Sequence, residues 1–195
     1  MTDQDPIQER LALATRWLAR GAGLLVLLTA LLVTGDVIAR NLFREAPFYS
    51  FEFGSLLFAM AVALGLPYAL LSGANVRIDV LHRHVPPAVR RWLDFAALLS
   101  VAWLGGLLGW FSTRLMLINA SRNVRSGSDL NLPLAWPQAV WAAGFVILGI
   151  TALVLAWRHA MLLIQGRTEE ADMLAGVHDE AAAALSDVAV NERTS

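Results

Sequence analysis

Charged residues are absent from four stretches of the chain, Gly21 to Gly35, Phe53 to Val76, Phe95 to Thr113 and Leu130 to Trp157, which hold 15, 24, 19 and 28 residues. Within each stretch the apolar residues run on continuously instead of alternating. That is the pattern of a helix in lipid, where every backbone N–H and C=O needs a partner within its own segment, and not of a barrel strand. A helix needs about 20 mainly apolar residues to cross the hydrocarbon core. The first stretch reaches that length once Trp17 and Arg20 sit at one boundary and Asp36 and Arg40 at the other, with their long side chains reaching outward. The last is shortened by Pro133 and Pro137, which belong to the turn leading into it. The pattern therefore predicts an all-α integral membrane protein with four transmembrane helices, at about 17–39, 51–72, 92–118 and 136–160. Together they make a membrane domain over 17–163, between an N-terminal segment, 1–16, and an acidic, flexible tail, 164–195.

Composition agrees: 57% of the residues are hydrophobic and only 16% charged, too apolar a balance for an ordinary soluble domain. The leader before the first stretch carries Asp3, Asp5 and Glu9, and no small-x-small cleavage pattern follows Val33, so the first helix reads as a retained anchor rather than a secretory signal. The chain has no cysteine, which leaves neither a disulfide framework nor a thiolate metal site.

The net charge of −1 conceals an asymmetry, because seven of the sixteen acids lie in residues 168–195. All fifteen basic residues are arginines. With four spans the termini share a side, and that side collects Arg10, Arg16, Arg20, Arg77, Arg83, Arg90, Arg91, Arg158 and Arg167. The opposite side has Arg40, Arg44, Arg114, Arg122 and Arg125. Nine against five places both termini in the cytoplasm. The basic connection between helices 2 and 3, within Tyr68 to Asp94, then lies against anionic headgroups, and Pro86-Pro87 starts the helix that climbs through Arg90, Arg91 and Trp92. Trp17, Trp92, Trp157, Trp136 and Trp141 fall at predicted interfaces. Trp103 and Trp110 lie inside the third span, off the interfacial belt, and are read as packing against protein or lipid. Gly105 and Gly109 on the same helix form a GxxxG pair that permits close helix approach.

Chemistry at membrane depth has few candidates. None of His82, His84, His159 and His178 lies in an uncharged stretch, so axial haem ligation inside a bundle is not supported. His82 and His84, two apart and without a carboxylate cluster, read as solvated loop residues rather than metal ligands. No span offers a nucleophile with a base in the same layer, and Ser100 and Ser112 are expected to back-bond to their own helix. The ionisable residues nearest the bilayer, Asp36, Arg40 and Glu52, sit at the ends of the first two spans, where Asp36 and Arg40 can pair across one turn. No catalytic residue, metal ligand or cofactor site is expected, and no nucleic-acid partner. A tetraspan protein with charged rims and a plain interior is suited to holding something else.

Three segments carry a resemblance: GDVIARNLF at Gly35 to Phe43, FYSFEFGSLLF at Phe48 to Phe58, and GANVRIDVL at Gly73 to Leu81, with Gly65 between the last two. The order and spacing of Asp36, Arg40, Glu52, Gly65, Arg77 and Asp79, together with the four spans, resembles the small membrane subunit of tripartite ATP-independent periplasmic (TRAP) transporters, the DctQ-like family. The likeness extends from about Arg16 to Trp157, leaving the acidic tail outside. It implies a three-part uptake system in the bacterial inner membrane. A periplasmic substrate-binding protein captures an organic acid, a large multi-span subunit moves it by a sodium-driven elevator motion, and the small subunit braces the immobile part of the large one. On this resemblance Asp36, Arg40 and Glu52 belong to the outer rim, and Arg77 and Asp79 to the cytoplasmic rim, as subunit contacts or as interfacial anchors among membrane lipids. Gly65, Gly105 and Gly109 serve helix packing. Arg122, Arg125 and Asp129 in the later outer loop are positioned to help dock the binding protein through a salt-sensitive contact.

Two rivals remain open at this level. One is a stand-alone homodimeric carrier using Asp36 or Glu52 as coupling acid, which flux in liposomes without a second subunit would reveal. The other is a membrane redox or enzyme subunit, which requires a bound chromophore.

Overall fold

A computed structural model of the chain describes residues 6–43, 50–72, 86–127, 131–168 and 170. Four helices make up nearly all of this: α1 (Pro6–Phe43), α2 (Ser50–Leu71), α3 (Pro87–Ser121) and α4 (Ala135–Ile164). Each is long and apolar enough to cross a membrane. At 1.5 Å per residue, the 22 residues of α2 span about 33 Å, close to the hydrocarbon thickness. The 38 residues of α1 span about 57 Å, so this helix tilts or projects past the lipid. Helix α1 continues back to Pro6 because Arg10, Arg16 and Arg20 all lie on its exposed side, where charge does not interrupt an amphipathic turn. Helix α3 begins at Pro87 behind Pro86 (φ −56°, ψ 145°), a position where the missing N–H costs nothing. In α4, Pro137 occupies the first turn.

The helices pack in the spatial order α1–α2–α4–α3. This is an open row, not a closed four-helix bundle, and α2 and α3, neighbours in sequence, are separated by α4. Accordingly 44% of the apolar stretch of α4 is buried, against 17% in α1 and in α3. The core is built from small residues, Ala61, Ala63, Ala142, Ala152 and Ala156, with Leu70, Leu148, Leu155 and Leu162 between them. In lipid, where burying apolar surface against a partner helix gains little over burying it in acyl chains, small residues that admit close backbone approach are what hold helices together.

Two glycines of α4 fix the row. A Cβ on Gly144 would lie 2.5 Å from the carbonyl oxygen of Ala63 on α2, and one on Gly149 would lie 3.0 Å from the backbone nitrogen of Gly106 on α3. The two positions are five residues apart, about 140° around the helix, so each looks at a different neighbour. On α2, buried Pro67 has no N–H to give the carbonyl four residues back. That carbonyl belongs to Ala63, the group facing Gly144.

Candidate functional site

With no mid-membrane charge, the polar chemistry of the described residues collects at the two ends of the row. Where α1 finishes and α2 begins, Asp36 is almost fully buried, at 2% exposed. Its Oδ2 accepts from Arg40 Nε at 2.8 Å and from Ser50 Oγ at 2.6 Å. The first bond is a one-turn pair within α1; the second crosses to the first residue of α2. A carboxylate taken out of water needs such donors, and here they tie the two helices together. The Arg40 side chain remains 55% exposed, so it neutralises Asp36 while keeping contact with water or headgroups. Glu52 is half-buried in the first turn of α2, where the helix dipole favours an anion. Ser50 was not among the residues expected to matter. Its only sequence signal is a hydroxyl at the start of an apolar run, two residues before an acid.

At the same end, Asn119 Nδ2 of α3 donates to Gln138 Oε1 of α4 at 2.9 Å, and Gln138 is 5% exposed. The segment that follows α3 folds back on itself. Val124 N donates to Asn119 O, Ser126 N to Leu132 O, and Leu134 N to Val124 O, with an antiparallel bridge between Arg125 and Pro133. Asn123 and Asn131 both take φ of 49°, a left-handed conformation that asparagine tolerates better than most residues. Arg125 donates from a terminal guanidinium nitrogen to Asn131 O at 3.1 Å, so its head is engaged in shaping the loop. Arg122 is exposed at the end of α3. Asp129 lies outside the described residues.

The opposite end holds a group the sequence reading did not single out. His159 is 0% exposed, with Nε2 3.2 Å from Arg91 O and its ring stacked on Phe95 (centroids 6.5 Å apart, 11° between planes). A carbonyl oxygen only accepts, so Nε2 carries the hydrogen. Nδ1 is buried without a hydrogen-bond partner among the described residues. The signal was present: His159 continues the buried stripe of Ala152, Leu155, Ala156 and Leu162 at three- and four-residue spacing. On α3, next in sequence to Phe95, Asp94 is 5% exposed. On α1, exposed Trp17 carries the Arg20 guanidinium 4.7 Å above its ring, the arrangement of an interfacial anchor. Arg77, Asp79, His82, His84 and the tail from residue 171 lie outside the described residues.

Among the packing glycines, Gly105 and Gly109 face α4. A Cβ on Gly105 would stand 2.8 Å from Gly149 N, and one on Gly109 2.9 Å from Val146 Cγ2. Gly65 is different, since a Cβ there would make ordinary contact with Ala22 Cβ at 3.8 Å. Trp103 and Trp110 are 71% and 68% exposed, on the outside of the row. Ser100 donates back to Ala96 O at 2.8 Å. Among the described residues no three of His, Asp and Glu lie close enough to hold a metal ion.

What this arrangement does chemically is fasten: each helical hairpin is pinned by buried polar contacts near a rim, and α4 is wedged between α2 and α3. No curated protein matches the chain. A family model described as "Tripartite ATP-independent periplasmic transporters, DctQ component" matches residues 29–162, from within α1 to near the end of α4.

Proposed function

The chain belongs to the DctQ component family of tripartite ATP-independent periplasmic transporters, and from that premise we propose that it is the scaffold which braces the large multi-span transport subunit while that subunit moves. It is a multi-pass membrane protein and a transporter component. The finer reading is a sodium-driven importer of an organic acid in the bacterial inner membrane, with both termini of this chain in the cytoplasm.

The observation that carries the bracing role is the open row. Helices α1 and α3 each pack mainly on one neighbour and leave long apolar faces outward, Leu24, Leu27, Leu28 and Leu31 on α1 among them. A row of this kind offers a partner two broad sides, and the pinned rims keep it from shearing when the partner pushes on it. Asp36, Arg40 and Glu52 lie at the rim proposed to face the periplasm, with Arg77 and Asp79 assigned to the other. In the outer loop, exposed Arg122 is the residue best placed to meet a binding protein, while Arg125 keeps the loop in shape. A coupling role for Asp36 is disfavoured, because a carboxylate held by Arg40 and Ser50 is already committed to joining two helices.

The test is to tag the C-terminus, extract native membranes in mild detergent and identify what co-purifies in stoichiometric amount. A larger multi-span protein recovered one to one supports the scaffold reading. Recovery of this chain alone or only with itself in several detergents, with flux when it is reconstituted by itself, overturns it in favour of the homodimeric carrier.

A further inference from the structure

On the outside of the α3–α4 crossing runs a groove of about 420 Å³, lined only by apolar residues and glycine, with Leu99, Trp103 and Gly106 on one side and Val146, Ile150 and Leu153 on the other. Its size is that of a small-molecule pocket, yet it lies midway along two membrane-crossing helices and opens away from the row. The floor is bare because the crossing is made by glycines: a Cβ on Gly106 would meet nothing within 4 Å.

Successive residues turn 100° around a helix, which puts Leu99, Trp103, Gly106, Trp110 and Arg114 on one face of α3. Trp110 is 68% exposed and Arg114 is exposed. Arg114 stands about 12 Å beyond Gly106 along the axis, just past the apolar stretch. Among the described residues no acid answers it on this surface. Helix α4 contains none, and the acid of α3, Asp94, is buried on the opposite side of the helix. Read along the groove, the order is an apolar channel, an amphipathic indole and then a guanidinium, which is the order of tail, glycerol region and phosphate in an anionic lipid. A partner helix, about 10 Å across, can lie over such a notch but not within it, and would leave Arg114 unmatched unless it brought its own acid.

We propose that this groove is a specific site for one anionic phospholipid, its acyl chain lying over Gly106 between α3 and α4 and its phosphate held by Arg114. The site depends on the membrane setting of α3 and α4 and is independent of the bracing role. The test is native mass spectrometry of the full-length protein, as extracted and after delipidation, titrated with phosphatidylglycerol or with phosphatidylcholine of the same chains. One phosphatidylglycerol is retained per chain, about fivefold tighter than phosphatidylcholine, the factor expected for one arginine near an anionic headgroup. Arg114→Gln abolishes that preference but leaves retention through the tail. Gly106→Leu, which fills the groove, abolishes retention of both lipids, and Ile150→Trp, which fills it from the other wall, does the same should Gly106→Leu unfold. Equal retention in wild type and both filled variants, or no preference that Arg114→Gln removes, overturns the proposal. So does a photo-crosslinker at Leu99 that captures a protein band rather than lipid.

Discussion

Replacing Gly144 by alanine adds one methyl group at the α2–α4 crossing. The new Cβ would stand 2.5 Å from Ala63 O, 2.6 Å from Ala63 C and 3.0 Å from Ala63 Cβ. The closest comfortable C···O approach is about 3.3 Å, so α2 and α4 must separate by nearly 1 Å. The two nearest obstacles are backbone atoms, and no side-chain rotation relieves them. Overpacking of this kind costs about 1–3 kcal/mol. Alanine also has a better helix propensity than glycine by about 1 kcal/mol, which would mask part of the loss if the variant were measured alone. Gly106→Ala supplies the control, since it gains the same propensity and its methyl group meets nothing within 4 Å. The propensity contribution cancels in the comparison, leaving Gly144→Ala less stable than Gly106→Ala by about 2 kcal/mol. The measurement is the midpoint of unfolding by SDS in mixed micelles, followed by far-UV circular dichroism. If both variants shift together, in either direction, the glycine contact is not what sets the α2–α4 crossing.

Gly65→Ala, whose methyl would make an ordinary 3.8 Å contact with Ala22, is expected to be neutral or stabilising by up to about 1 kcal/mol in the same titration. Ser50→Ala and Asp36→Asn should each destabilise by about 1–2 kcal/mol and together by clearly less than the sum, because both cut one charged hydrogen bond; strict additivity in a double-mutant cycle would dissociate them. His159→Ala leaves a cavity and should cost about 3 kcal/mol. His159→Phe keeps the stack on Phe95 while removing a buried nitrogen without a partner, and is expected within about 1 kcal/mol of wild type. Arg122→Glu should weaken binding-protein-dependent uptake most at low ionic strength, with folding unchanged; uptake equal to wild type at every salt concentration would remove Arg122 from the docking surface.

The spans were legible because lipid allows few alternatives: an uncharged run of sufficient length can only be a helix. Their ends were less so. Trp17 and Arg20 mark the boundary of the first span in the sequence, yet Arg10 and Arg16 before it lie on the exposed side of α1 and let the helix continue to Pro6. The Asp36–Arg40 pair could be read from its four-residue spacing, whereas the bond from Ser50 depends on how α2 docks and leaves no local trace. The glycine pattern was legible in half. Gly105 and Gly109 match a familiar four-residue motif, but Gly144 and Gly149, five apart, match none, because that motif describes one face and these two serve different faces. His159 was set aside as lying outside the uncharged stretch, although its spacing continued a buried stripe.

The placement of α4 between α2 and α3 also constrains how the protein is made. The ribosome delivers α4 last of the four, yet α4 is the helix that joins α3 to the α1–α2 hairpin. Until it arrives, α3 lacks the helix it packs on. The connection from Leu71 to Pro87 has to bridge two interaxial spacings, about 16–20 Å, within reach of its 15 intervening residues. A version of this protein with that connection shortened to a tight hairpin would bring α2 and α3 together first and leave the last helix without a seat.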